Sequence, residues 1–368
     1  MSKSFVNTNP YPFTFTTGGP ITASSSTATD TSAPSTKTTP TPSGPITLTL
    51  PNTRGTIPSI PATRLRSLIN EASSSPSKIL ALVCSYDGLS SKLCVEAGFP
   101  ALFLNGYAMA ASMGLPDTGY IAFQEVVQRL QEVVRVVKDV PIIVDGDTGY
   151  GGAMNVRRCV EGFAHAGAAG VMIEDQTWPK RCGHTQGKSV VSLPEALARW
   201  RAAVDARNNG LDIWILARTD SLIHGYDEAL TRARAAIALG VDCIFVEALP
   251  DRATMHRLVR DLNGFPLMAN IIEGGRTEML SAADLGEMGY ALVTYPWTLV
   301  AARLRSVREA LEGIKGRFLE GKPEVILGYG EVCEGVGFSE YYEMEERYLF
   351  EGAVNGSKGF RFEEKEHR

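Results

Sequence analysis

Three carboxylates and one thiol have the residue types and spacing for chemistry. Asp145 and Asp147 lie two apart in PIIVDGD, and Glu174 falls near the end of GVMIED. Strand side chains two apart project to the same side, so Asp145 and Asp147 face together. Converging carboxylates repel one another until a cation neutralises them. A hard ion, Mg²⁺ or its substitute Mn²⁺, suits a set of few carboxylates better than zinc does. The plainer role for these acids is to cap the following helices or to pair with Arg218 of WILARTD. Arg218 has the fork to grip a substrate carboxylate, with pairing to Glu174 or Asp220 as its structural alternative.

The thiol is Cys182, inside Lys180-Arg181-Cys182-Gly183-His184. Cationic neighbours lower a thiol pKa, so this setting predicts a residue that changes protonation state near neutrality and does acid-base work. The other histidines, His165, His224, His256 and His367, have no such cluster around them and read as structural or solvated.

Something must bring these segments together. Eight short apolar runs recur along the chain: ILALVCS, ALFLNG, PIIVDGD, GVMIED, WILARTD, CIFVEAL, PLMANI and ALVTYP. Consecutive apolar residues are the mark of parallel strands covered on both faces. Between them, stretches such as FQEVVQRLQEVVRVV carry apolar residues at helical spacing. Gly98, Gly167, Gly240 and Gly289 each stand between a helical stretch and a strand, where a left-handed residue ends a helix. Eight units over about 240 residues predict a (β/α)8 TIM-type barrel rather than an open doubly wound sheet. The strand ends then share one rim, collecting Ser85-Tyr86-Asp87, Asn105-Gly106, Asp145-Gly146-Asp147, Glu174-Asp175, Arg218-Thr219-Asp220, Glu247 and Asn270. One acidic site follows.

Composition narrows the function classes. The chain has 368 residues, 44% of them hydrophobic, which is enough for a large core. A net charge of -5 without a Lys/Arg block argues against nucleic acid or anionic membrane as partner. The six cysteines form no CxxC pair, which excludes a structural zinc site and fits a reducing compartment such as the cytoplasm. No apolar run reaches the roughly 18 residues of a membrane span. Residues 1–60 are dominated by Ser, Thr, Pro and Gly and are expected to be a disordered tail. With Lys3, Lys37 and Arg54 as its basic residues, this tail has fewer than organellar targeting peptides usually carry. The barrel is expected over 61–320, a helical extension over 321–353 and a flexible tail over 354–368. Helices over 297–319 and about 338–350 exceed a minimal barrel and suit packing between subunits.

In order, DGDTGYGG, IEDQTWPKRCGH, ARTD, VEAL, ANIIEGG and YPWTLVAA resemble the isocitrate lyase and phosphoenolpyruvate mutase superfamily. KRCGH after IEDQ is specific to its lyase branch. Within that branch, SYDGLSS, NGYAMAASMGLPDTG and EDQTWPKRCGHTQGK look most like the group of petal death protein and plant carboxyvinyl-carboxyphosphonate phosphorylmutase-like proteins. The resemblance implies that Asp145 ligates Mg²⁺ directly while Asp117, Asp147 and Glu174 help through water. It implies that Arg218, Glu247 and Asn270, with Gly183 and the backbone around Asn105-Gly106-Tyr107, hold a small dicarboxylate. Cys182, beside His184 on a closing loop, would protonate the enolate released by C–C cleavage, and Tyr86 would assist at the reacting oxygen. A homotetramer with C-terminal helices swapped between barrels is implied too.

The expected reaction splits a 2-alkylmalate or a methylisocitrate-like acid into a 2-oxo acid and a carboxylic acid. Hydrolysis of oxaloacetate to oxalate and acetate is the neighbouring alternative, although fungal enzymes of that kind tend to carry Ser where this chain has Pro296. Phosphonomutase-type P–C chemistry is the second, opposed by Cys182 and His184. A non-catalytic scaffold barrel is the third, opposed by the presence of every residue named above. Two departures fall near the rim: Asn105-Gly106 where many relatives have Ser-Gly, and Arg276-Thr277-Glu278 where a Thr-Pro pair is common.

Overall fold

The computed structural model describes residues 53–74, 78–317, 321 and 326–350. All eight apolar runs form strands: β1 (Leu80–Ser85), β2 (Leu102–Leu104), β3 (Ile142–Asp145), β4 (Gly170–Glu174), β5 (Trp214–Thr219), β6 (Cys243–Val246), β7 (Met268–Asn270) and β8 (Leu292–Tyr295). Neighbours pair in parallel from β1 to β6, and β8 pairs with both β1 and β7. A parallel bridge between Ile244 and Leu267 joins the remaining edges, so the sheet closes into a (β/α)8 barrel.

The helices around it are α1 (Ile60–Ser73), α2 (Gly88–Glu96), α3 (Gly106–Ser112), α4 (Phe123–Val137), α5 (Ala153–His165), α6 (Leu193–Asn208), α7 (Tyr226–Leu239), α8 (Arg252–Asp261), α9 (Ala282–Met288) and α10 (Thr298–Arg317). Their ends are written locally. In α4, Glu125 turns back to accept from the Ala122 N–H at 2.7 Å, and Val126, Leu130, Val133 and Val137 bury one face. Gly98, Gly167, Gly240 and Gly289 have φ of +90, +100, +94 and +100°, the left-handed conformation expected of them.

Alternation along the strands builds two cores. Leu82, Phe103, Ile143, Met172, Leu216, Phe245, Met268 and Leu292 fill the barrel interior. Their neighbours, such as Leu102, Val144, Ile173, Ile215, Ile244 and Val293, pack outward against the helices. Phe103 is 2% exposed, and Phe103→Ala is expected to cost about 3–5 kcal/mol through lost transfer energy and a cavity. Two residues beyond Phe103, Ile143, Met172, Leu216, Phe245 and Met268, the same face carries Asn105, Asp145, Glu174, Arg218, Glu247 and Asn270.

Leu65, Ile69 and Ala72 of α1 join the interior cluster with Leu80 and Trp214 and plug the opposite end. There, Arg66 bonds Asp212 at 2.5 and 2.9 Å, and Arg207 and Arg54 bond Asp242 at 2.7 and 3.1 Å. Residues 53–59, assigned from composition to the end of the tail, lie against this face. Thr53 Oγ1 and Arg54 N donate to Asp212, and Ile57 bridges Leu211. The expected tails at 1–52 and 354–368 lie outside the described residues. Within the expected extension, α11 (Tyr329–Val336) and α12 (Phe338–Glu346) form. Among the described residues, no helix is long and apolar enough to cross a membrane.

Candidate active site

The polar face at the strand ends gathers most of the expected residues. Asp145 is 5% exposed and holds two backbone donors, Gly106 N at 3.1 Å on Oδ2 and Asp147 N at 3.0 Å on Oδ1. A Cβ at Gly106 would sit 2.9 Å from Asp145 Oδ2, so this approach requires glycine. Asn105 spends its side-chain oxygen on the Ala108 N–H at 2.9 Å, capping α3.

Asp147 has a left-handed φ of +46° and turns its carboxylate to Lys180, with Oδ1 2.7 Å from Nζ. Lys180 also pairs with Asp117. Burial pushes the Asp147 carboxyl up to about 6; Lys180 opposes this, while Asp145 and Asp117 add repulsion. Glu174 is raised well above the usual carboxylate range, chiefly by burial, with Arg218 as the main counterweight.

Two buried oxygens are left short of partners: Glu174 Oε1 accepts no hydrogen bond, and Asp147 Oδ1 has only the Lys180 ammonium 2.7 Å away. An all-oxygen donor set with two such atoms, already drawing in one ammonium, fits a hard cation. As folded here, with Asp117 and Asp147 turned to Lys180, no three acid, His or Cys side chains among the described residues gather tightly enough to hold an ion.

Arg218 takes its structural alternative in full. Nε lies 3.1 Å from Glu174 and 2.9 Å from Asp220, and Nη2 lies 3.1 Å from Glu247. With that edge held by protein carboxylates, Nη1 is the nitrogen left for a ligand. The Phe245 ring lies 5.5 Å from the guanidinium carbon.

The Cys182 loop closes over this cluster. His184 accepts from Arg276 N at 2.9 Å on Nδ1, so its proton sits on Nε2, which donates to Glu247 Oε1 at 3.1 Å. A Cβ at Gly183 would come within 2.4 Å of Glu247 Oε2. The expected lowering of the Cys182 thiol pKa is reversed. Burial pushes it up, and Asp117 and Glu247 add to that, against a backbone N–H of His184 and Arg218. The flanking cations do not offset burial: Lys180 is neutralised by Asp117 and Asp147, Arg181 is exposed, and His184 spends its ring nitrogens on Arg276 N and Glu247. A raised pKa favours the protonated thiol.

Other expected residues take different places. Tyr107 stacks on Trp297 with centroids 5.0 Å apart; burial raises its hydroxyl pKa, and the nearby Asp117 carboxylate adds to that. Asn270 accepts from Thr294 Oγ1 at 3.0 Å. The Tyr86 ring lies under the Arg303 guanidinium, 5.4 Å away, lining a cavity of about 860 Å³ with Leu89, Leu93, Tyr295 and Leu299. Sequence reasoning missed Lys188, which reaches Asp220 at 2.8 Å, and the Arg232–Asp175 pair at 3.0 Å. Both partners lie far along the chain, and no local spacing signals them.

Several known proteins are similar to this chain in sequence and in fold. A 2,3-dimethylmalate lyase from Eubacterium barkeri is 34% identical over 290 residues, covering 78% of this chain and 98% of the relative. The solved structure of a 2,3-dimethylmalate lyase matches with a TM-score of 0.73 over 80% of this chain and 98% of its own. The petal death protein of Dianthus caryophyllus is 34% identical over 265 residues, 71% of this chain and 83% of its own. Oxaloacetate acetylhydrolase, solved with 3,3-difluorooxalacetate, matches with a TM-score of 0.72 at 30% identity over 78% of this chain and 96% of its own. Phosphonopyruvate hydrolase, solved with oxalate and Mg²⁺, matches with a TM-score of 0.66 at 25% identity over 79% and 99%. The family model described as phosphoenolpyruvate phosphomutase matches residues 71–315. The chain therefore belongs to the phosphoenolpyruvate phosphomutase family, within the isocitrate lyase and phosphoenolpyruvate mutase superfamily.

Proposed function

We propose that this protein is a carbon–carbon lyase that cleaves a 2-hydroxydicarboxylate, a 2-alkylmalate or a methylisocitrate-like acid, to a 2-oxo acid and a carboxylic acid. The observation that carries the reading is the seating of the Cys182 loop, through Gly183 and His184, on Glu247 in a buried cluster of carboxylates and Arg218, where burial raises the thiol pKa and favours its proton-donating form. The named substrate of the dimethylmalate lyase relative supports the same class.

Arg218 Nη1, Asn270 and the backbone at Asn105-Gly106-Tyr107 orient the two carboxylates. Asp145, with Asp117, Asp147 and Glu174, would hold Mg²⁺, which when bound polarises the 2-oxygen. Its binding asks Lys180 to share Asp117 and Asp147. The 2-hydroxyl loses its proton and becomes the carbonyl of the 2-oxo acid. The C–C electron pair stays on the carbon beside the other carboxylate, and that enolate takes the Cys182 proton. The thiolate then recovers a proton equivalent to the one the hydroxyl gave up, so the cycle needs no further reactant. The closed loop excludes water and keeps the enolate from other fates.

Hydrolysis of oxaloacetate is the second reading, favoured by the likeness to oxaloacetate acetylhydrolase. Incubating the protein and Mg²⁺ with 2-alkylmalates, methylisocitrate and oxaloacetate, and identifying products by mass spectrometry, separates the two. Turnover of none of them would sink both. Leu304, Val307, Leu311 and Ile314 of α10 are each about half exposed, which supports the swapped homotetramer; its mass in solution tests that. All six cysteines are free, in keeping with a cytoplasmic setting.

A further inference from the structure

The loop after β7 carries the departure Arg276-Thr277-Glu278, and its contacts give Glu278 a task. Glu278 N donates to Pro250 O at 3.0 Å, and Glu278 Oε2 accepts from Arg252 N at 2.9 Å. Arg252 is the first residue of α8, so the carboxylate also satisfies an orphan donor at a helix N-terminus. Two residues earlier, Arg276 N donates to His184 Nδ1 at 2.9 Å. The neighbouring Gly275 leaves room for that ring, since a Cβ there would lie 2.6 Å from Nδ1. His184 in turn reaches Glu247, just beyond β6, the strand that leads through Pro250 into α8 at Arg252. The contacts form a closed circuit: β6 end, Glu278, Arg276, His184 and back to Glu247.

We propose that Glu278 is a positioning residue for Cys182. A proline at that place restrains the backbone through its ring. Here two hydrogen bonds do the same work, one from the Glu278 N–H that a proline lacks and one to its carboxylate. Together they hold the Arg276 N–H toward the imidazole. His184 then keeps the loop, with Cys182 two residues before it, seated on Glu247. Glu278 therefore adjusts the proton donor without touching the substrate. The role rests on the reading of Cys182 as that donor, but its test does not need turnover.

Five of the six cysteines are buried and Cys182 is only partly so, which makes alkylation a direct probe of the loop. The full-length protein is treated with iodoacetamide, and modification of Cys182 is followed by peptide mass spectrometry in the wild type, Glu278→Ala and Glu278→Gln. Loss of one net hydrogen bond corresponds to about a fivefold change. Glu278→Ala is expected to be alkylated about fivefold faster, with kcat lower by a similar factor and KM within about twofold of wild type. Glu278→Gln, whose amide oxygen can accept the same Arg252 N–H, is expected to behave as wild type. A melting shift of no more than about 4 °C shows that the fold is kept. Alkylation of Glu278→Ala at the wild-type rate, or of Glu278→Gln at the Glu278→Ala rate, overturns the proposal. Faster alkylation with no turnover of any candidate acid would remove the lyase reading and leave the tether standing.

Discussion

The Lys188 ammonium lies 2.8 Å from Asp220 Oδ1, with 3% of the lysine side chain and none of the aspartate exposed. Asp220 holds Arg218 at the same time. One buried carboxylate thus links Arg218 to the far end of the Cys182 loop. Lys180 pins the near end through Asp117 and Asp147. Between the two lysines, Arg181, Thr185, Gln186 and Gly187 are exposed.

Removing Lys188 should be felt in acid. Burial works against the Asp220 charge, but Arg218 and Lys188 overcome it and hold the carboxyl at about 2. Its folded pKa is below the unfolded value, so its contribution of about 2 kcal/mol is present above pH ~4 and is lost as pH falls toward 2. Lys188→Met is expected to lower stability at neutral pH by about 3 kcal/mol, as loss of one partner of a buried pair does. It should also move the acid-unfolding midpoint, followed by circular dichroism, to higher pH.

Asp147 has the opposite sign. Its carboxyl is raised to about 6, so keeping it ionised costs folding free energy as pH rises from ~4 through 6 in the metal-free protein. A divalent cation favours the ionised form. Mg²⁺ should therefore raise the melting temperature more at pH 7.5 than at pH 5, and a thermal-shift titration at both values checks this. Equal shifts would remove Asp147 from the metal set.

Gly183→Ala should separate closure from folding. The new methyl would meet the buried side chain of Glu247 at 2.4 Å, and Glu247 cannot retreat because Arg218 and His184 hold it. Turnover is expected to fall at least ~100-fold as the near-attack arrangement is lost, while Cys182 alkylates faster. Steady-state kinetics and peptide mapping read both.

Much of this was legible in the sequence, and the residues show why. Eight consecutive apolar runs and four glycines gave the barrel, because strand burial and helix termination are local properties. Convergence of strand ends in a barrel placed Asp145, Glu174, Arg218 and Glu247 on one rim. The strand spacing read for Asp145 and Asp147 does not extend that far, since β3 ends at Asp145 and Asp147 turns to Lys180 with φ of +46°. The thiol pKa was misread, since KRCGH displays its cations while Asp117 and Asp147, which neutralise Lys180, and Glu247, which binds His184, stand elsewhere in the chain. The Asn105 side chain, placed at the rim by the sequence, caps α3 there, a use that depends on the helix following it. Lys188 carried no local signal, because a buried pair is defined by its environment.

Cys182 as proton donor is the central claim. Its raised thiol pKa predicts a pH–rate profile without a limb from thiol ionisation below the ordinary value of about 8.5. The most direct measurement is kcat and KM of Cys182→Ser against wild type, with saturating Mg²⁺ and whichever 2-hydroxydicarboxylate the protein cleaves. A loss of about 100- to 10,000-fold in kcat with KM nearly unchanged is the predicted result. Turnover by Cys182→Ser at the wild-type rate would contradict it.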